Sequence, residues 1–537
     1  MLVGSKPAGS SSFYKEVPGW LSDLSIFILL LSQSFVSGVS AYSISEVTSF
    51  LGSSSELIHM AFYASSIGLA AVLPLFYRIR KYMRRKRMWL CGLMLELILC
   101  LAAAHLSSAG ELVAVSFLLG AAKCICLIDG IGILMARFNP GNSRGLFYGL
   151  YYSISYTGSQ VAGYFAAISV LDYDWSYTYY IAIPGIIISM VIVGFLMHHY
   201  RAHRKVPIYQ FDWLGMILFL MLAFCVCFIA IFGQRLDWWD AKEIRTASLI
   251  AGGSLIMFIL KMLSTRRPYL NLSTLSKFPH TITGFVLMFL LYFVYNSSSV
   301  FSGFVQSVMG YDYRNVAALN LWMLPGFLIA IPMAGYLLHH HYRSRVVLAM
   351  AFLLFAGYYW MTYFLFYPEG AIHYFIIPQI LKAAAYGMAI TTLSYYASTN
   401  VEKNYNGDRA FLSVAVRYVF AAPVSASWFS RLVLVHTTKH FTAMTASVTA
   451  DRLAGPEYIE GVSRKFMQFG YDADHARQVG SLLLHHKILK EATMLSARDI
   501  YLWLGVTAIL VMLIILLIKK LDIHYLKNKN SYALLDA

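Results

Sequence analysis

Three ionisable residues lie in apolar runs long enough to cross a membrane, which makes them the first candidates for chemistry. Lys123 and Asp129 lie in the run FLLGAAKCICLIDGIGILMARF, and Glu96 lies in CGLMLELILC. A charged side chain at bilayer depth costs about 3 kcal/mol on insertion scales, so such residues usually bind ions, protons or substrates. We predict that Asp129, Glu96 and Lys123 take up and release protons, because burial and pairing shift carboxylate proton affinity in opposite directions. The alternative is a static pair that neutralises buried charge.

A second set of residues has the chemistry of a substrate-binding cavity. Lys382 lies in IPQILKAAAYGMA, and Arg417 lies in the next long apolar run. Together with Lys123 they predict a cavity of positive character, which favours anionic or zwitterionic amphiphiles. The alternative is that backbone carbonyls or carboxylates satisfy each lysine. Aromatic and hydrogen-bonding walls would come from Gln33, Ser34, Tyr292, Tyr295 and Asn296, although with 38 tyrosines any single one is more often a packing residue.

The other reactive side chains indicate no cofactor. The run His339, His340 and His341 is interpreted as a solvated helix end, because a metal site would need further ligands. All six cysteines lie in apolar runs, as small buried residues do. The sequence contains no phosphate loop, nucleophile elbow or zinc-hydrolase helix. We therefore predict no metal, no cofactor and no enzyme activity.

The elements that must position these residues are transmembrane helices. The chain of 537 residues is 59% hydrophobic and 13% charged, against about 25% charged in soluble domains. At about 20 apolar residues per crossing, fourteen spans are predicted near 20–42, 57–77, 88–108, 113–136, 145–170, 176–198, 212–233, 246–264, 281–304, 316–338, 346–367, 372–397, 410–435 and 499–519. The net charge of +16 is interpreted as loop lysine and arginine, not as nucleic-acid binding.

The basic loops set the predicted orientation. The loop between the second and third spans contains Arg78, Lys81, Arg85 and further Lys and Arg residues, whereas the loops on either side of it contain none. Basic loops stay in the cytoplasm, so an even number of spans places both termini there. One external loop, residues 436–498, is exceptionally long, and its apolar spacing predicts a largely helical cap.

Several stretches resemble the fourteen-helix drug:proton antiporter branch of the major facilitator superfamily. They include DWSYTYYIAIPGIIISMVIVGFLM with its early Pro184, then FDWLGMILF, then VMGYDYRNVAALNLWMLPGFLIAIPMAGYLL, and KEATMLSARDIYLWLG before the last span. Their order covers nearly the whole chain.

The resemblance implies an all-α integral membrane fold with two six-helix bundles and two additional helices between them. The implied segments are a cytoplasmic N-terminus (1–19), an N-terminal bundle (20–198), a basic linker with the added helices (199–280), a C-terminal bundle (281–519) and a cytoplasmic tail (520–537). It implies proton-coupled efflux of amphiphilic or drug-like molecules across the inner membrane by alternating access. The long external loop adds, by the same resemblance, a membrane-fusion adaptor and an outer-membrane channel as partners.

The chain also departs from the family pattern. In the cytoplasmic gate loop, Arg78 and Lys81 stand where Gly and Asp are usual, so the acidic partner that normally organises the gate is missing. Ser34 stands where many members have an Asp in the first span. Two alternatives therefore stay open: a dedicated organic-anion transporter, and a non-transporting membrane sensor or scaffold with the same fold.

Overall fold

The computed structural model describes residues 12–14, 16–38, 44–138, 144–199, 211–402, 405–448 and 454–522. Most of the predicted termini 1–19 and 520–537 lies outside the described residues, as do Arg201, Arg204 and Lys205 of the predicted basic linker. The described chain is all-helical apart from a single antiparallel bridge between Phe13 and Met197.

Fourteen long helices occupy the described residues, one at each predicted span. They are α1 (Gly19–Gly38), α2 (Ser55–Tyr82), α3 (Arg85–Ala104), α4 (Ala109–Arg137), α5 (Arg144–Asp172), α6 (Tyr177–Leu196), α7 (Trp213–Phe232), α8 (Lys242–Ser264), α9 (Pro279–Ser307), α10 (Tyr313–His339), α11 (Ser344–Leu365), α12 (Ile372–Ser398), α13 (Asn406–Ala446) and α14 (Ala473–Leu517).

Thirteen of these helices are long and apolar enough to cross a membrane by length and composition. The exception is α5, which has 29 residues and so sufficient length, but whose tyrosines, serines and glycines lower its hydropathy. Helix α5 also packs against α1, α10 and α12, so its polar residues face protein.

The helices that precede residue 198 pack mainly on one another, and so do those that follow residue 279. In the first group α2 packs on α4, and α3 packs on α4 and α6. In the second group α12 packs on α9, α10 and α11, and α14 packs on α11 and α13. The groups meet where α5 contacts α10 and α12, and where α2 contacts α13. Helices α7 and α8 pack as a pair, with α7 against α2 and α13.

Two helix crossings depend on glycine. A Cβ on Gly120 of α4 would lie 1.8 Å from the carbonyl oxygen of Ser65, and one on Gly68 of α2 would lie 2.1 Å from that of Phe117. Between the groups, a Cβ on Gly335 of α10 would lie 2.8 Å from the carbonyl oxygen of Gly145. Small residues allow such close approach of helix backbones in membranes. These glycines are therefore packing residues.

The last two long helices extend beyond the predicted spans. Helix α13 continues to Ala446, and α14 begins at Ala473, well before the predicted start at 499. A further helix, Ala454–Gln468, packs on α14. The described part of 436–498 is therefore largely helical, and its location outside the membrane stays a prediction.

Candidate substrate cavity

A cavity of about 510 Å³ lies where the two groups of helices meet. Its walls come chiefly from α1, α2, α4, α5, α9 and α13, and Tyr386 is the contribution of α12. Seven of the eight predicted cavity residues line it: Gln33, Ser34, Lys123, Tyr292, Tyr295, Asn296 and Arg417. The eighth, Lys382, is not among the lining residues.

The lining carries positive charge. Arg80, Lys123, Arg409 and Arg417 all reach the cavity, and no Asp or Glu is among its described lining residues, although Arg80 pairs with Asp129 outside the lining. A concave, weakly polar space with one sign of charge concentrates ligands of the opposite sign. The cavity is therefore chemically suited to an anion with a large apolar or aromatic part.

Arg417 is the central cation of this cavity. It lies in the π-helical segment Ala415–Ala421 of α13, a local widening that often occurs at functional sites. Its Nε donates to the carbonyl oxygen of Ser413 (2.9 Å), and one terminal nitrogen donates to the hydroxyl of Tyr152 (3.1 Å). The guanidinium also lies over the ring of Tyr418, at 5.0 Å from the centroid. No carboxylate of the described chain lies within 4.0 Å of it.

Tyrosines of α5 form the wall that faces the second group of helices. The hydroxyl of Tyr152 lies 2.6 Å from that of Ser394, and the hydroxyl of Tyr156 lies 3.0 Å from that of Tyr386. Tyr386 in turn packs on Tyr295, with ring centroids 4.2 Å apart. Sequence reasoning missed Tyr152, Tyr156 and Tyr386. The spacing of Tyr148, Tyr152 and Tyr156 was a usable signal, because residues four apart share one helix face.

Glu96 and Lys123 lie beside the cavity on the α3 and α4 side. Glu96 is fully buried, and its Oε2 accepts a hydrogen bond from Nε2 of Gln33 at 3.0 Å. Lys123 is the nearby group of opposite charge. Its ammonium lies more than 4.0 Å from the Glu96 carboxylate, so the two make no salt bridge. Gln33 and Lys123 both line the cavity. The predicted neighbourhood of Glu96 and Lys123 is thus present.

Asp129 lies in a different network from Glu96 and Lys123. Its carboxylate is 2.9 Å from Nε of Arg85 and 3.4 Å from Nε of Arg80, and it accepts a hydrogen bond from Nε1 of Trp89 at 2.9 Å. Asp129 follows Lys123 by six residues, which turns the two side chains about 120° apart on the helix. The predicted trio is therefore split between two sites.

The same contacts correct our interpretation of the gate loop. We inferred that no acidic partner organises this loop, because Lys81 replaces the usual Asp. The structure shows that Asp129 of α4 supplies a carboxylate to Arg80 and Arg85 instead. Of the other predicted gate residues, Arg78 lies over the ring of Phe211, 5.8 Å from its centroid, and Lys81 is exposed.

Lys382 lies in a separate buried site between α9, α11 and α12. Its ammonium donates to the hydroxyl of Ser298 and lies 5.4 Å from the ring centroid of Tyr295 and 5.9 Å from that of Tyr358. No carboxylate of the described residues lies within 4.0 Å of this ammonium. Tyr295 lines the cavity and Lys382 does not, so this lysine lies next to a wall residue without reaching the cavity itself.

The comparisons with known proteins decide the family. Residues 24–425 match the Major Facilitator Superfamily, which covers most of the chain. The chain belongs to this superfamily. It is therefore a multi-pass membrane protein of a transporter family, and its fold is that of the superfamily.

The similarity to an individual relative is weaker than the match to the superfamily. The chain is 27% identical over 288 residues to the fatty acid resistance protein FarB of Neisseria gonorrhoeae. That match covers 52% of this chain and 55% of FarB, so it spans little more than half of either protein.

Solved structures share the fold at low sequence identity. A structure described as a proton-dependent oligopeptide transporter is 12% identical in sequence and has a TM-score of 0.55. The superposition covers 93% of this chain and 98% of the transporter. A peptide transporter in complex with alafosfalin is 11% identical, with a TM-score of 0.53 and coverage of 93% and 95%.

Proposed function

We propose that this superfamily member is a proton-coupled efflux transporter for amphiphilic or drug-like small molecules, with anionic amphiphiles as its preferred class. The observation that carries the proposal is the cavity, which is lined by four cationic side chains, many tyrosines and no carboxylate among the described residues. Such walls stabilise a negative headgroup and an apolar tail together. The similarity to FarB, a protein named for fatty acid resistance, is consistent with a substrate of this kind.

Glu96 is the proposed proton carrier. It is a buried carboxylate that contacts Gln33 of the cavity wall and is attracted by Lys123. Because Lys123 lines the cavity and is attracted by Glu96, protonation of Glu96 would change the charge that the cavity presents to a substrate, which would couple proton binding to substrate binding. Asp129, by contrast, is held by two arginines and a tryptophan, and we assign it to the cytoplasmic gate.

The proposed movement is a rocking of the two helix groups about the cavity. The bundles would be 20–198 and 281–519, with α7 and α8 as the added pair in 199–280. Hydrogen bonds from Tyr152 and Tyr156 to α12 span the interface, so this movement would have to break or slide them. The proposal includes an inner-membrane location with both termini cytoplasmic, and an adaptor that binds 436–498.

The test is transport in proteoliposomes with an imposed pH gradient. The substrate is a submicellar amphiphile with a permanently charged sulfonate headgroup, since a carboxylate can cross lipid in its neutral form. The comparison substrate is a quaternary ammonium with the same tail. We expect pH-driven accumulation of the sulfonate, and little of the ammonium. Equal accumulation of both, or of the ammonium alone, would reject the anion preference.

The variant Glu96→Gln tests proton coupling in the same vesicles. Because glutamine keeps the size and cannot ionise, we expect loss of pH-driven accumulation, with exchange of labelled for unlabelled sulfonate retained. Glu111→Gln is the matched control, since Glu111 is an exposed acid in the first turn of α4. Unchanged pH-driven accumulation in the Glu96 variant would exclude this residue as the carrier.

The positive cavity equally suits the second candidate, a dedicated organic-anion transporter. The two functions differ in breadth, so sulfonates with unrelated tails distinguish them. Similar transport of several tails supports efflux of amphiphiles, whereas transport of one tail supports the dedicated transporter. A protein with no flux for any of them would be the sensor or scaffold.

A further inference from the structure

Two histidines and an aspartate come together where α13 packs on α14, apart from the cavity. His436 and His440 lie one turn apart on α13, and Asp499 faces them from α14. The helices are in contact here, since the hydroxyl of Ser496 reaches the carbonyl oxygen of Val433 at 3.4 Å. Within the described residues, no other group of three such side chains has its ligand atoms this close together.

The distances between the ligand atoms suit a small tetrahedral cation. Nε2 of His440 lies 2.7 Å and Nδ1 of His436 lies 3.7 Å from the same Oδ2 of Asp499, and all three atoms lie within 4.8 Å of one another. Ligands about 2.0 to 2.1 Å from a tetrahedral zinc ion are about 3.3 Å apart. The two distances to Asp499 bracket that value, so small side-chain movements would bring both into the range of a tetrahedral site.

The ring nitrogen Nδ1 of His436 gives a second, independent reason to expect a metal ion at this position. Nδ1 of His436 is buried and has no hydrogen-bond partner among the residues that the structure describes. A buried polar atom without a partner costs free energy. A metal ion at this position would bind that nitrogen, and it would also neutralise part of the charge on Asp499.

From this geometry we propose that His436, His440 and Asp499 bind a divalent transition metal of the zinc class. Two imidazole nitrogens and a carboxylate oxygen are borderline ligands that such ions accept, and water would complete a tetrahedral set. The ion joins the outer part of α13 to α14. It lies on the helix that carries Arg417, yet none of its ligands lines the cavity.

The test measures metal binding by the full-length protein in detergent after treatment with a chelator. Zinc stoichiometry is determined by mass spectrometry after dialysis, and cobalt(II) is added separately because its visible absorption reports tetrahedral coordination. We expect one equivalent of zinc in the wild type that is absent from His440→Ala and Asp499→Asn. The six cysteines are present in every variant, so thiol binding does not contribute to the difference.

Two further variants distinguish loss of metal binding from a folding defect. His436→Gln removes the nitrogen that makes no hydrogen bond, so it should leave the apo protein's melting temperature unchanged while lowering zinc affinity at least about tenfold. His486→Ala is the matched control, since His486 is an exposed histidine elsewhere on α14. Zinc should raise the melting temperature of the control and not of His436→Gln. Equal zinc content, or equal cobalt spectra, in wild type and His436→Gln would overturn the proposal.

Discussion

Two sets of buried charges in this protein differ in how they are neutralised. In the first group of helices, Asp129 contacts Arg80 and Arg85, and Glu96 has Gln33 and Lys123 as neighbours. In the second group, Arg417 and Lys382 are buried among tyrosine rings, hydroxyls and a backbone carbonyl, with no carboxylate within 4.0 Å among the described residues.

The difference shows which region requires a further partner. Paired charges in a protein interior largely compensate each other, whereas the charge of a lone buried cation stays uncompensated. Arg417 faces the cavity, so the negative charge of a bound anionic substrate can compensate it. Lys382 does not face it, so its contribution to binding must act over a longer distance.

Removing the carboxylate from the paired region should have the largest effect. In Asp129→Asn two arginines lose their anion, and we expect the free energy of unfolding to fall by about 3 kcal/mol. This is the low end for a broken buried pair, because Arg80 is about one-third exposed. Denaturant unfolding in mixed micelles measures the loss.

Asp23→Asn is the control for this change. Asp23 pairs with Arg137 at 2.7 Å, but both side chains are about one-third exposed. Exposed pairs contribute at most about 1 kcal/mol, so the control should be nearly neutral. Equal losses in the two variants would contradict the special role of Asp129.

Removing the unpaired cavity cation should change binding more than folding. We expect Arg417→Gln to weaken binding of the sulfonate amphiphile at least tenfold, about 1.4 kcal/mol, and to leave the ammonium analogue unaffected. Titration calorimetry in detergent gives both affinities. The control is Arg431→Gln, an exposed arginine on the same helix. If the ammonium analogue also loses affinity, the effect is structural and not one of charge.

The smallest effect is expected at Lys382. Because this lysine does not line the cavity, Lys382→Gln should weaken binding of the sulfonate by less than about fivefold, as long-range attraction in a wet cavity amounts to about 1 kcal/mol or less. Binding assays with the sulfonate and ammonium, beside Lys242→Gln as an exposed control, measure the change. A loss as large as that of Arg417→Gln would show that Lys382 reaches the substrate directly.

Much of the fold was predictable because helix formation is local. The apolar length of each span depends on neighbouring residues, and a long helix occupies each of the fourteen predicted positions. Helix ends were less predictable, as α14 shows. It begins at Ala473 because a polar, amphipathic segment can continue a helix without a change in backbone geometry.

The candidate site was predictable in part. Lys123, Arg417 and five polar or aromatic residues were predicted from charge and residue type, and the structure places all of them in the cavity wall. Lys382 was expected there for the same reason, but it lies one turn before the cavity-lining Tyr386, next to Tyr295, and does not line the cavity. How far a cavity extends along a buried helix depends on packing, which residue type alone does not specify.

The amino-acid sequence by itself determined that this is a helical membrane protein, where its helices lie, and which side chains carry charge into the apolar interior. The tertiary structure alone decided the partners of those charges. Asp129 pairs with Arg80 and Arg85 and does not join Glu96 and Lys123, and Asp499 meets His436 and His440 from another helix. Periodicity places residues around one helix, but a contact between two helices also depends on their rotation and crossing angle, to which distant parts of the chain contribute.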